Sequence, residues 1–353
     1  MSRPLNDLSF SEFSTLAVGF GATEEAARRL FPALYAPGGQ AAFGQVPGVR
    51  KSVVAQLAAV PIARLSVVDR RRAEDSFVKY LFRSPLGGEF EAVRIPIFDT
   101  KHVVCISSQI GCALGCAFCA TGRMGFRRNL ETWEMVEQVR IVRDEAQLPV
   151  RHVVFMGMGE PLLNYDAVLR AAHLLSAPGG LQVGGHNTTI STAGIVPAIR
   201  RYTREGQPFR LTFSLTSALH EKRLRLMPIE RKYPLPELVD AIREYATVRR
   251  ERAMLAYVMV SGVNTGREDA EAIREAFAGV PIKLDLIDVA DPSGAFAPPG
   301  VEELKRFRDD LQVLASPIAR RYSGGKEICA ACGTLAATRE GGAPLPKPKA
   351  SEG

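Results

Sequence analysis

Residues 105–130, CISSQIGCALGCAFCATGRMGFRRNL, decide how this chain is read. Cys112, Cys116 and Cys119 stand in C-x3-C-x2-C spacing just after HVVCIS, which reads as a strand. Thiolates at such short intervals on a tight loop can converge on one soft metal site. A structural zinc site wants four ligands, and no His or Cys follows at the usual second-half spacing. Cys105, upstream on the strand, is poorly placed as a fourth. Three thiolates fit a four-iron, four-sulfur cluster with one iron left open, a catalytic arrangement rather than a structural one. The competing readings are zinc or three free thiols.

Outward from this loop the pattern is regular. GGEFEAVRIPI and HVVCIS read as a strand hairpin. Beyond the cysteines, the apolar runs HVVFMG, NTTIST, RLTFSL, MLAYVMV and IKLDLI read as strands. Between and after them, TWEMVEQVRIVRDEA, DAVLRAAHLLS, LPELVDAIREYATVRR, REDAEAIREAFA and VEELKRFRDDLQVL read as helices. Repeated strand–helix units imply an α/β fold, a parallel sheet with helices outside. About six units fit a partial barrel better than a full eight. Residues 1–85 read as a small helical region, with EEAARRLFPALY and VRKSVVAQLAAV separated by APGGQAAFGQVPG. The tail 338–353, rich in Pro and Gly, reads as disordered.

Composition narrows the class. Of 353 residues, 46% are hydrophobic and 24% charged, ordinary for a soluble globular protein. A chain of this length buries enough surface to fold without disulfides or metals. No apolar run approaches the ~20 residues that span a bilayer, and MSRPLNDLSFSEF has no secretory h-region. A cytoplasmic protein without a membrane partner is expected. The net charge of +7 is compatible with a polyanionic partner and is weak evidence for one. Six cysteines in two groups point, in the cytosol, to metal or redox work rather than structural disulfides.

With Phe118 before the last cysteine, the trio resembles the cluster loop of the radical S-adenosylmethionine (SAM) superfamily. The wider segment closely resembles the 23S rRNA adenine methyltransferases called RlmN and their antibiotic-resistance relatives called Cfr. The likeness recurs, in order, in FMGMGEPLLNYD, ISTAGIVPAIR, MPIERKY and ICAACGTLA, over most of residues 75–337. It implies a partial (β/α)6-type radical SAM barrel over 86–337, with 1–85 as a helical accessory region. It also implies a 4Fe-4S cluster on Cys112, Cys116 and Cys119, and SAM as cofactor. The implied partners are an RNA, ribosomal or transfer, and an electron donor such as flavodoxin, with the enzyme a monomer.

The motifs carry implied roles. In GMGEP, Gly157 and Gly159 let the backbone approach a ligand, and Glu160 can accept hydrogen bonds from an ammonium. By resemblance Gly159 and Glu160 hold the amino-acid end of SAM; otherwise the motif is an ordinary strand-to-helix turn. Ser191, the Ser214–Leu215–Thr216 run and Asp291 resemble further SAM contacts. Strand-end serines are otherwise caps or turn residues. Cys332 of the Cys329/Cys332 pair occupies the place of the family's methyl-carrying cysteine. Glu91 stands where the family has a proton acceptor, although an alternating strand would otherwise simply point it at solvent.

An adenine ring carbon, 2 or 8, is electron-poor and a poor nucleophile toward a SAM methyl. The resemblance implies a divided reaction. Cys332 first takes a methyl by displacement. Cleavage of a second SAM then yields a radical that activates that methyl for addition to the base. Glu91 takes the ring proton. Cys105 resolves the adduct by closing a disulfide, which cellular thiols reduce. Cys329 receives no role.

Arg127 and Arg128 are candidate phosphate contacts, and with one Trp no base-stacking platform is legible. Three departures set the chain apart: Thr216 where the family has histidine, Asp291 where it has asparagine, and Thr334 where it has glutamine. Two other classes stand beside this reading. One is a radical SAM enzyme acting on a peptide or small metabolite, which would not need Cys332 and Cys105 together. The other is a non-catalytic iron–sulfur module, which would not need GMGEP.

Overall fold

The computed structural model describes residues 3–36, 39–97 and 100–336; the expected disordered tail, 338–353, lies outside them. Three helices come first: α1 (Phe10–Gly19), α2 (Glu24–Leu30) and α3 (Lys51–Ala59). Ser9 caps α1 through a reciprocal box with Glu12, which satisfies two otherwise orphaned backbone donors. The helical stretch then stops well short of 85. β1 (Ser66–Arg72) and β2 (Val78–Arg83) are strands, contrary to the all-helical expectation. SVVDRRR is a half-exposed strand at the end of the sheet, where charge guards an unpaired edge and hides the apolar alternation.

β3 (Glu89–Ile97) and β4 (Lys101–Cys105) form the expected antiparallel hairpin. The cysteine loop carries a small hairpin of its own, β5 (Gln109–Gly111) with β6 (Phe126–Asn129), around the one-turn helix α4 (Ala120–Arg123). Then come α5 (Thr132–Glu145), β7 (Val150–Phe155), α6 (Tyr165–Ser176), β8 (Thr188–Thr192), α7 (Val196–Arg204) and β9 (Arg210–Ser214). The chain continues through α8 (His220–Leu226), α9 (Leu235–Arg249), β10 (Ala253–Met259), α10 (Arg267–Ala276), β11 (Ile282–Asp288), α11 (Val301–Asp310) and β12 (Ile318–Arg321). β12 and α7 were not anticipated: IARR is short and charged, and α7 carries a proline, Pro197, as its second residue, which the first turn of a helix allows.

One ten-stranded sheet runs in the order β1-β2-β3-β4-β7-β8-β9-β10-β11-β12. β1 to β4 are antiparallel neighbours. From β4 to β12 every pairing is parallel. Each parallel strand from β4 through β11 leads to a helix before the next, so the partial-barrel reading describes this region. β10 and β11 are almost continuously buried, as strands covered on both faces must be. A single hydrophobic cluster extends from Leu5 to Leu335, so the N-terminal helices share the core of the sheet. Among the described residues, no helix is long and apolar enough to cross a membrane.

Candidate active site

Cys105 ends β4, Gly157 follows β7, Ser191 lies near the end of β8, and Ser214 ends β9. All four line one cavity of about 220 Å³. A parallel α/β sheet leaves its ligand crevice at these carboxyl ends. Cys112, Cys116, Cys119 and Cys332 line the same cavity, so five of the six cysteines share it. Only Cys329 does not.

The two cysteine groups are brought together by backbone. The Ala120 N–H donates to the Gly333 carbonyl at 2.7 Å, and the Thr121 hydroxyl to the Leu335 carbonyl at 2.6 Å. The cluster loop is also pinned from below. Gln138 on α5 accepts from the Ser107 N–H at 2.9 Å and donates to its carbonyl at 3.1 Å. Asn164 donates to the Ser108 and Leu130 carbonyls at 2.9 and 2.8 Å. Polar side chains that satisfy buried backbone in this way fix the stretch that enters the loop, just ahead of its β5–β6 hairpin. None of these pins was read from the sequence; the polar run Ser107–Ser108–Gln109 inside an apolar context was the available signal.

Among the described residues, no three Cys, His, Asp or Glu side chains are grouped to share one metal ion. The three loop thiols line the cavity together, and Cys119 and Cys112 lie near enough to Cys116 for their charges to bear on it. That suits a polynuclear cluster, which takes each thiolate on its own iron, and a donor set of sulfur alone is that of iron–sulfur sites. Burial pushes the Cys112 thiol up to about 12 and the Cys116 thiol well above its ordinary value. Metal binding must therefore displace protons that burial favours.

GMGEP forms the next wall. Gly159 has φ +102°, and a Cβ there would lie 2.5 Å from the Gln109 Cβ. A Cβ on Gly157 would lie 2.7 Å from the Ile106 backbone. Both glycines are demanded by close approach. Glu160 is 3% exposed. Its carboxylate accepts from the Ala193 N–H at 2.8 Å and the Leu162 N–H at 3.0 Å. Burial nevertheless pushes it up to about 7, against the lowering by these hydrogen bonds and by the Thr192 hydroxyl.

Cys105 is buried, and desolvation, with a smaller contribution from the nearby Cys332, pushes its thiol up to about 12. Cys332 lines the cavity and is exposed to solvent. Its thiol is also raised by surrounding protein, while Arg321 and the Ser323 hydroxyl act the other way. Arg321, which the sequence reading missed, is held by Asp285 at 2.7 Å. Arg223, equally missed, is fully buried against Glu230 of MPIERKY at 2.9 Å and donates to the Ser214 and Ala193 carbonyls at 3.1 Å. It locks two strand ends that face the ligand crevice.

Four expected site residues lie off the cavity wall. Glu91 shares a strand face with Val93 and Ile95, which do line the cavity. It sits deeper, fully buried, 3.0 Å from the Lys79 ammonium and accepting from the Ala336 N–H at 2.9 Å. Leu215 is buried in the core. Thr216 is buried with φ +57°, its carbonyl taken by Asn264 at 2.6 Å and its hydroxyl without a partner among the described residues. Asp291 pairs with Arg123 at 2.9 Å and accepts from Ser293, Ala295 and Phe296. Its charge is answered there, off the cavity wall. Arg128 is likewise committed to the fold, gripping Glu134 through two nitrogens at 2.8 Å; Arg127 stays exposed.

Comparison with known proteins agrees with this geometry. The Radical SAM superfamily profile matches residues 106–276. A Myxococcus xanthus protein described as "Probable RNA methyltransferase" is 59% identical over 98% of this chain and 97% of its own length. The "Dual-specificity RNA methyltransferase RlmN" of Syntrophobacter fumaroxidans is 37% identical over 94% of this chain and 98% of its own. The crystal structure of a radical SAM methyltransferase from Sphaerobacter thermophilus superimposes with a TM-score of 0.88 at 35% identity. That superposition covers 96% of this chain and all of the other.

Proposed function

We infer the reaction from the premise that the chain belongs to the RlmN-type radical SAM RNA methyltransferases. The proposed substrate is an RNA, ribosomal or transfer, and the proposed product an adenine methylated on ring carbon 2 or 8. The observation that carries this reading is the meeting of Cys332 and Cys105 with the three loop cysteines around one cavity. A radical SAM enzyme that did not use a protein-bound methyl would have no need of the two extra thiols.

In this proposal Cys112, Cys116 and Cys119 hold a 4Fe-4S cluster, with Glu160 and the Gly157 and Gly159 backbone holding SAM. When bound, the cluster supplies the electron, delivered by a donor of the flavodoxin kind, that cleaves SAM reductively. The chain's own residues do the rest. Cys332, exposed on the cavity wall and flanked by Arg321 and Ser323, acts as the thiolate that accepts a methyl. Cys105, buried beside it, stays a thiol until the adduct forms; it then gives up its proton and attacks the Cys332 sulfur. The sulfur–methylene bond breaks with its electron pair on the carbon, which takes up a proton to become the product methyl as the disulfide closes. Glu91 is the proposed proton acceptor. Reaching the base requires the Ala336 N–H to release the Glu91 carboxylate, so a shift of the 335–336 segment belongs to that step.

Nucleoside mass spectrometry of ribosomal and transfer RNA from a deletion strain and its complemented counterpart tests the reading. A ring-methylated adenosine should vanish on deletion and return on complementation. Identical RNA from both strains would refute the substrate class.

A further inference from the structure

Tyr322 is 73% exposed, a large aromatic left open at the surface. It borders two spaces at once. It lines the cavity that holds Cys105 and Cys332, and also an outer cleft of about 520 Å³ with Arg320 and Lys326.

The ring is held in place. Its hydroxyl donates to Asp75 at 2.9 Å, and the same Asp75 oxygen accepts from the Gly325 N–H at 2.9 Å. Phe77, buried below, packs against the ring at 6.1 Å and 66°, and the ring's exposure leaves its outer face open. Gly324 presses so closely that a Cβ there would lie 2.7 Å from the tyrosine ring and 2.6 Å from Phe77. An aromatic that is fixed at edge and tip, with a bare face over a cleft, has already lost the rotamer freedom that stacking would otherwise cost.

Charge does not explain the cleft. Arg320 is paired with Asp288 at 2.6 Å and Arg321 with Asp285 at 2.7 Å, while Asp75 and Glu327 offset Lys326. A balanced wall has little general pull on phosphate. What it offers is a π-face, and every nucleobase has one.

We propose that the outer cleft is a nucleobase subsite, in which Tyr322 stacks on a base adjacent to the one that reacts. This rests on the RNA reading above. The reacting base must lie inside, against the thiols, so the ring at the rim meets its neighbour in the strand. Tyr322 is thus a positioning residue for the substrate strand and has no part in loading the methyl onto Cys332.

The test uses reconstituted full-length enzyme, protein-free 23S rRNA transcript as the probe, and two readouts. One is KM and kcat for methylation of the transcript. The other is the mass increase of Cys332 when SAM is supplied without RNA. Tyr322→Leu should raise KM for the transcript about tenfold, with kcat nearly unchanged and Cys332 methylated as in wild type. Tyr322→Phe, which keeps the ring and loses only the Asp75 hydrogen bond, should raise KM clearly less than Leu does. A Leu variant with wild-type KM overturns the subsite. So does a Phe variant as impaired as Leu, because the hydroxyl, not the face, would then be what matters. Loss of Cys332 methylation in the Leu variant would also overturn it, by placing Tyr322 in the fold of the thiol site. A wild-type enzyme that charges Cys332 and leaves the transcript unmethylated refutes the choice of RNA, and the subsite falls with it.

Discussion

Glu160 gives the most direct physical test of the site. Its carboxyl is pushed up to about 7 by burial, from an ordinary 4.5. Raising a pKa by one costs about 1.4 kcal/mol of ionisation, so ionising Glu160 in the folded protein costs roughly 3 kcal/mol. The sign follows from proton counts. Between pH 4.5 and 7 the folded chain holds this proton and the unfolded chain has released it. Stability therefore falls as pH rises through that window and levels off above the folded value. Glu160→Gln removes the titration and keeps the shape. It also loses one acceptor for the Leu162 or Ala193 N–H, a penalty that does not change with pH.

The measurement is urea unfolding of full-length protein purified without iron, wild type and Glu160→Gln, from pH 5 to pH 8. Other groups titrate equally in both proteins and cancel in the difference. Across that range the variant should gain roughly 2 to 3 kcal/mol on wild type. Saturating SAM should flatten the difference, because an ammonium beside the carboxylate favours its ionised form. A difference that is constant with pH would refute the reasoning: Glu160 would then be ionised throughout, and burial would not be governing it.

Four further outcomes follow from the same geometry. Gly159→Ala, forced to φ +102° with its Cβ 2.5 Å from Gln109, should lose about 3 kcal/mol in urea unfolding and fail to bind SAM in equilibrium dialysis. Alanine at Cys112, Cys116 or Cys119 should abolish iron loading by elemental analysis while leaving the circular dichroism spectrum intact. Arg321→Met, which removes the cation that favours the Cys332 thiolate, should move the pH profile of Cys332 alkylation by iodoacetamide to higher pH. Cys105→Ala should stay covalently attached to RNA through a salt- and denaturant-resistant link, and Cys332→Ala should form none, as denaturing gels will show.

The parallel half of the fold was legible because buried strands and amphipathic helices differ in period, and those periods survive in RLTFSL, MLAYVMV and IKLDLI. The edge strands were not. SVVDRRR and IARR carry charge where the sheet is unpaired, and that charge erases the alternation on which a strand assignment depends. In the site, the cysteines and glycines could be found because their chemistry depends on spacing along the chain. Gln138, Asn164, Arg223 and Arg321 reach partners 30 to 165 residues away in sequence, and no local pattern announces a partner that far away. MPIERKY stands out in the sequence without showing a purpose; in the fold its Glu230 neutralises Arg223 under the ligand crevice.

Asp291 shows why a departure from a family pattern is hard to interpret without geometry. From the sequence, an aspartate in place of an amide loses two donors and adds a charge near the reacting sulfur. In the fold, no donor is wanted there. The side chain receives hydrogen bonds from the Arg123 guanidinium at 2.9 Å, the Ser293 hydroxyl at 2.7 Å and the N–H groups of Ser293, Ala295 and Phe296 at 3.0 to 3.2 Å. An asparagine has one acceptor oxygen for these contacts; a carboxylate has two and a charge to match Arg123. Arg123 belongs to α4, directly after Cys119. The substitution therefore ties the loop after β11 to the cluster loop. Its first consequence is for how firmly the cluster loop is held, and any effect on the target base must pass through that loop.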